Sequence, residues 1–281
     1  MVRWTSFLCI AVALYSLTGL LAQVVAWDII SHVTVRSGLG LIVALILVLR
    51  DLRKPTVREW CAGGCVALPS AAFIVITWLS NAVYAIVLLY LSTLFSAIIR
   101  RVVTDEKLSF AFWPALIVTL VGLCLMTTDS KEPLDALSVL LGLGGSIAWA
   151  SWSVLREGDG KKRSDYSLVI GFFLSTLVFL VLPRSLFGLQ TRITSDWASI
   201  VGVVVGGVLA GTAYQIMSKA TEKIPGPVVL LISSAEVPLT VFWLWLFLGD
   251  IPGITSCIGA GMAFIAVVWL GYVMNTEKAN E

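Results

Sequence analysis

Two charged side chains fall within stretches that are otherwise apolar, Glu236 and Arg36. Glu236 lies ten residues into the run Gly226–Leu248, roughly 15 Å along a helix that rises about 1.5 Å per residue. In a hydrocarbon core about 30 Å thick, that is close to the midplane. A charge at that depth is costly, so Glu236 is expected to face a bundle interior and not lipid. A carboxyl group there can take up and release a proton, which proton-coupled transport requires. The alternative is an anchor between helices, bonded to Arg36 or to a Ser or Tyr hydroxyl. Arg36 stands three residues into the run Val33–Leu49. It either snorkels to the outer boundary or faces a cavity, where a guanidinium holds a carboxylate by two hydrogen bonds.

Pro238 sits two residues beyond Glu236, and Ser233 and Ser234 precede it by one turn. Proline removes a backbone donor and frees a carbonyl, so this stretch reads as a kinked, polar segment at membrane depth. Such a segment is tolerated where it lines a cavity. Tyr90, Trp149 and Tyr214 are among the candidates for the cavity wall. Tyr15, Tyr84, Trp78, Trp152 and Gln215 are further ones, since apolar bodies with polar tips suit a solute site. Cys61 and Cys65 are one helical turn apart, but no second pair completes a metal set. The five cysteines read as small buried residues, and no metal or other cofactor is expected.

These side chains need helices to carry them. Of 281 residues, 58% are hydrophobic and 13% charged, against roughly 25% charged in a soluble domain. Ten runs approach the 17–25 residues that cross a bilayer. They are Trp4–Trp27, Val33–Leu49, Trp60–Leu79, Ala82–Ile99, Phe110–Met126, Leu137–Leu155, Tyr166–Leu182, Trp197–Met217, Gly226–Leu248 and Ile254–Met274. The first exceeds a signal-peptide core and reads as a membrane helix. Interleaved small residues, such as Gly142, Gly145, Gly207 and Gly211, suit close helix packing.

Nineteen lysines and arginines against seventeen acids leave a net charge of +2, no footprint for nucleic acid. Their placement is informative. With the N-terminus inside, Arg50, Arg53, Lys54, Arg58, Arg100, Arg101, Lys107, Arg156, Lys161, Lys162, Arg163, Lys219 and Lys223 share the inner side with Arg3 and Lys278. Only Arg36, Lys131, Arg184 and Arg192 fall on the other. The positive-inside rule then puts both termini in the cytoplasm. These basic loops read as topology signals.

The ten runs divide into halves, 1–130 and 131–281. Each half has four runs, then an acidic loop, Thr104-Asp105-Glu106-Lys107 or Leu248-Gly249-Asp250, then a closing helix. Five spans per half invert the halves, a common plan for secondary transporters. The expected fold is an all-α integral membrane protein of ten transmembrane helices in two inverted five-helix repeats.

Dispersed short motifs carry a family resemblance. They are Leu14-Tyr15-Ser16, Arg36 at the start of its helix, Ala85 to Ser92 followed by Asp105-Glu106-Lys107-Leu108, and Gly145 to Trp152 followed by Arg156. Further on come Gly211-Thr212-Ala213-Tyr214 with Ala220 and Pro225, Ala235-Glu236-Val237-Pro238, and Phe247-Leu248-Gly249-Asp250. In this order the chain resembles the drug/metabolite transporter superfamily, built of two EamA-type repeats. It departs at Leu91-Ser92, where the family often has proline, and at Val102-Val103-Thr104, where Leu-Leu-Gly is usual. Val237 also separates Glu236 from Pro238. The resemblance implies ten helices in a membrane and movement of small metabolites, amino-acid-like or otherwise. It favours Tyr90, Trp149 and Tyr214 as site residues.

The expected function is a secondary active transporter, alternating access around a central site, with a small solute and the lipid bilayer as partners. No phosphate-binding Gly-rich Lys-Ser/Thr loop is present. A membrane enzyme lacks a second carboxylate or a histidine at depth. The competing reading is a non-transporting scaffold or partner subunit, with Glu236 as an anchor. A compact chain of this kind suits a bacterial inner membrane.

Overall fold

The computed structural model describes residues 2–49, 53–80, 82–104, 108–129, 135–157, 166–181 and 192–279. They form helices and connecting turns, with no strand among them. In chain order the helices are α1 (Val2–Val24), α2 (Ile29–Val48), α3 (Val57–Leu79), α4 (Ala82–Tyr90), α5 (Ser92–Thr104) and α6 (Phe112–Thr127). They continue as α7 (Ala136–Arg156), α8 (Tyr166–Val181), α9 (Trp197–Thr221), α10 (Gly226–Ser233), α11 (Glu236–Leu248) and α12 (Ile254–Ala279). Eight stretches are long and apolar enough to cross a membrane, with α4 and α5 making one and α10 and α11 another. The apolar helices α6 and α8 are shorter.

Capping sets several boundaries. Asp28 accepts from the Ser31 backbone N–H at 3.0 Å, so α2 starts four residues before Val33. That brings His32 inside a helix, where no histidine was expected. A capping box of Thr56 and Glu59 starts α3 before Trp60. Asp135 and Asp196 cap α7 and α9. The Thr194 hydroxyl and the Ser199 N–H and hydroxyl hold Asp196 at a pKa of about 2. Gly249, at φ 71°, ends α11 in the left-handed conformation that favours glycine. The expected acidic loop Asp105-Glu106-Lys107 lies outside the described residues. So do Arg50, Lys131, Lys161, Lys162, Arg163 and Arg184.

The bundle is apolar outside, and its apolar core holds a set of buried hydroxyls. Ile46, Leu140, Leu180 and Ile265 are exposed, whereas Ser16, Ser96, Ser146, Ser153, Ser199 and Ser218 are fully buried. Hydroxyls pair across helices, Ser37 with Ser175 at 3.0 Å and Ser96 with Ser153 at 2.6 Å. Trp243 donates to the Ser16 hydroxyl at 2.9 Å. Without a hydrophobic drive between helices in lipid, close packing and such bonds hold the bundle. The cysteines correct an expectation. Cys9, Cys61, Cys124 and Cys257 are exposed and Cys65 is half-buried, because their helix faces turn outward.

Helix α1 packs on α9 and α11, and α2 on α8 and α9. Helix α3 packs on α7 and α8, α5 on α7 and α10, and α6 on α12. The α6–α12 seam is backbone against backbone. A Cβ on Gly122 would stand 2.5 Å from the Gly259 carbonyl oxygen, whereas one on Gly261 meets open space. Gly122→Ala is expected to cost about 1–3 kcal/mol through overpacking, and Gly261→Ala almost nothing. Thermal unfolding in detergent measures both.

Candidate functional site

Two membrane stretches are broken, and their breaks meet. In the second, the Ser234 N–H reaches the Leu230 and Leu231 carbonyls, and the Val237 N–H takes Ser234. Regular i to i−4 bonding would have joined Val237 to Ser233, so the Ser233 carbonyl is released. The break precedes Pro238, which sits in the first turn of α11, where a missing N–H is cheap. The kink expected at Pro238 is therefore displaced to Ser234-Ala235. The first break falls at Leu91, whose N–H turns back to Leu88. No expectation placed a break there, in a run without proline. The Ser92 and Thr93 hydroxyls have no hydrogen-bond partner and offer no account of it.

Tyr90, the last residue of α4, spans the junction. Its hydroxyl is 2.5 Å from Glu236 Oε2 and 2.7 Å from the Ser233 carbonyl oxygen. Tyr90 has one proton for two acceptors. With Glu236 ionised, Tyr90 donates to the carboxylate and the Ser233 carbonyl goes without. With Glu236 protonated, the acid donates to the phenol oxygen and Tyr90 donates to Ser233, and both short contacts are hydrogen bonds. The arrangement can therefore store a proton and report it to the backbone of α10.

A cavity of about 40 Å³ opens beside this junction, lined by Tyr15, Pro69, Phe73, Ile86, Leu89, Tyr90, Trp149, Tyr214, Met217 and Glu236. It has room for a few waters. Trp149 stacks on Trp152 at 4.5 Å and tilts against Tyr214 at 4.8 Å. Tyr15 meets Tyr214 edge-on, with hydroxyls 3.5 Å apart. The structure thus brings Tyr90, Trp149, Tyr214 and Glu236 together. The Ser233 and Ser234 side chains stay out. Their hydroxyls donate back to Val229 and Leu231, and Ser233 contributes its carbonyl instead. Tyr84 packs in an apolar cluster. Gln215 and Trp152 are buried but do not line the cavity.

Arg36 is 3% exposed, so it does not snorkel. Its guanidinium lies 5.7 Å from the centre of the Phe73 ring. It interacts electrostatically with Tyr15, Tyr214 and Glu236, which line the cavity, but forms no ion pair with Glu236. Its Nε and Nη2 are buried without a hydrogen-bond partner. One turn earlier, His32 borders a second cavity of about 330 Å³ with Gln23, Trp27, Ile74, Thr77, Trp78 and Ser80. This vestibule lies where α1 and α3 end. Phe73 lines the central cavity and its neighbour Ile74 the second one.

The opposite end is bound by charge. Arg100 Nε donates to Glu157 Oε2 at 2.8 Å, and the Gly226 N–H at the start of α10 donates to Glu157 Oε1 at 2.5 Å. Arg156 pairs with Glu222 at 3.0 Å and donates to Ser218. Arg100 and Arg156 are buried. The sequence marked Arg100 only as a topology signal and Arg156 also as part of the resemblance; both lie in helices, Arg156 in the last turn of α7.

Residues 136–272 match the EamA-like transporter family. A crystal structure of another protein aligns over 95% of this chain and 96% of its own, at 18% identity, with a TM-score of 0.75. The two chains therefore share a fold. No curated protein matches the sequence. With its apolar, membrane-length helices, the chain is an integral membrane protein, and residues 136–272 form an EamA-like transporter family domain.

Proposed function

We propose that the protein is a secondary active transporter. It moves a small organic solute by alternating access, with Glu236 as the group that carries a coupled proton. The observation that carries this reading is the junction of Tyr90, Ser233 and Glu236, where the two broken stretches meet beside a cavity. Discontinuous helices at mid-membrane are a recurrent way to build a transport site.

The helix packing supports two inverted five-helix repeats, 1–130 and 131–281. Count α4 with α5, and α10 with α11, as one span each. The broken span is then the fourth in each half. Exchanging the halves carries the α1–α9 pair onto α3–α7 and the α2–α9 pair onto α3–α8, while α2–α8 and α6–α12 map onto themselves. The sixteen-residue helices α6 and α8 do not correspond, so the match is one of packing and not of length. A vestibule at one end and an ion-paired seal at the other suit one side of an alternating cycle. The basic end is the cytoplasmic one by the positive-inside rule, in keeping with a bacterial inner membrane and both termini inside.

Cysteine accessibility tests the reading without knowledge of the solute. Ile86 and Tyr214 are replaced singly by cysteine in a background free of the five native, mostly exposed thiols. A membrane-impermeant thiol reagent is applied from each face. Labelling of one position from both faces, with no ionic conductance, is the expected outcome. A folded protein that labels from neither face would make the chain a scaffold and Glu236 an anchor.

A further inference from the structure

The geometry points to a monoanionic solute, a carboxylate with an apolar or aromatic body. We propose that it binds by the Nε–Nη2 edge of Arg36 while Glu236 holds a proton. This deepens the transport reading and rests on it.

Nε and Nη2 are the two donors on one edge of a guanidinium, the pair that grips a carboxylate by two parallel bonds. Both are buried and unpartnered in Arg36, and a buried donor left unsatisfied is costly. Charge favours the same ligand. Arg36, Glu236 and the hydroxyls of Tyr15, Tyr90 and Tyr214 are the ionisable groups about the site, with His32 beyond Arg36 toward the vestibule. Tyr90 makes both of its short contacts into hydrogen bonds only when Glu236 is protonated. In that state Arg36 is an uncompensated cation, and one anionic group balances it. A proton and a monoanion then cross together with no net charge.

The aromatic residues fix the rest of the solute. Tyr15, Trp149 and Tyr214, backed by Phe172 at 5.4 Å from Tyr214, form an apolar box. About 40 Å³ is too small for such a body, so these rings must part on binding. Trp149 reports that movement through its fluorescence.

The test titrates the purified full chain in lipid nanodiscs with four probes of equal skeleton, following tryptophan fluorescence. They are 3-phenylpropionate, phenylalanine, 3-phenylpropylamine and 3-phenylpropanol. The propionate is expected to bind at least about tenfold tighter than each of the others, which is the worth of one charge-assisted hydrogen bond. Arg36→Gln should remove that preference. Arg36→Lys, which keeps the charge and loses the fork, should weaken it. Raising the pH should weaken the propionate in the wild type, and that dependence should be absent in Glu236→Gln. Tighter binding of phenylalanine, of the amine or of the alcohol overturns the proposal, and the wild-type panel decides this whether or not the Arg36 variants fold. Failure of the transport reading is a separate result. Propionate binding with no access from the second face would keep the site and remove the carrier.

Discussion

Glu236→Gln is expected to abolish solute accumulation driven by a pH gradient while the protein folds and still exchanges solute across a membrane without one. The reason lies in the hydrogen bonds at the junction. A glutamine amide donates to the Tyr90 oxygen, as the protonated acid does, and Tyr90 donates to the Ser233 carbonyl, 2.7 Å away. The variant therefore copies one protonation state permanently. It has nearly the same shape and nothing to release. A screen of radiolabelled small metabolites in proteoliposomes first finds a solute that the wild type concentrates under a pH gradient. With that solute, accumulation by the variant should fall to the level of protein-free vesicles. Exchange at equal pH should stay within about fivefold, the scale of one neutral hydrogen bond. Tyr90→Phe is a less clean change, since it strips both the Ser233 carbonyl and Glu236 of their shared donor and should also lower thermal stability. Accumulation at the wild-type rate in Glu236→Gln would remove the carboxyl group from coupling.

Much of the bundle and part of the site were legible in sequence, and the misses have physical causes. Apolar runs between charged loops give helices with boundaries good to a few residues, because burial of backbone polar groups in lipid leaves a helix little alternative. Glu236 was found by its charge. Tyr90, Trp149 and Tyr214 stood out from other aromatics only through the family resemblance, since an aromatic at a helix interface and one at a cavity look alike in one dimension. The break at Leu91 left no mark of that kind. It shows only in which carbonyl an N–H selects, Leu88 for Leu91. The serines show the reverse error. Ser233 and Ser234 are polar and at the right depth, yet a short hydroxyl in a helix most easily returns to its own backbone. The cysteines were read as buried from residue type alone. In a membrane, an exposed face is itself apolar, so type no longer tells inside from outside.

Glu157→Ala is expected to open the basic end of the bundle, raising the labelling rate of Tyr214→Cys from that face at least about tenfold and lowering it from the vestibule face. Glu157 joins Arg100 of α5 to the first N–H of α10, and these two half-helices start or finish at the central junction. Helix α5 follows Tyr90 by one residue, and α10 ends at Ser233, whose carbonyl Tyr90 meets. One carboxylate thus ties the far parts of the two segments whose near ends meet at Tyr90 and Glu236. Each charge-assisted bond is worth about 1.5–3 kcal/mol, so loss of either moves a two-state equilibrium by about tenfold or more. Gly226→Ala provides an independent wedge, since a Cβ there would stand 2.8 Å from the Ser153 carbonyl oxygen, and it should shift labelling in the same direction. A scaffolding role for the network predicts something else, lower thermal stability in both variants with the ratio of labelling between the two faces unchanged. That ratio is the deciding quantity, because a gate must favour one face at the expense of the other, whereas loosened packing exposes both.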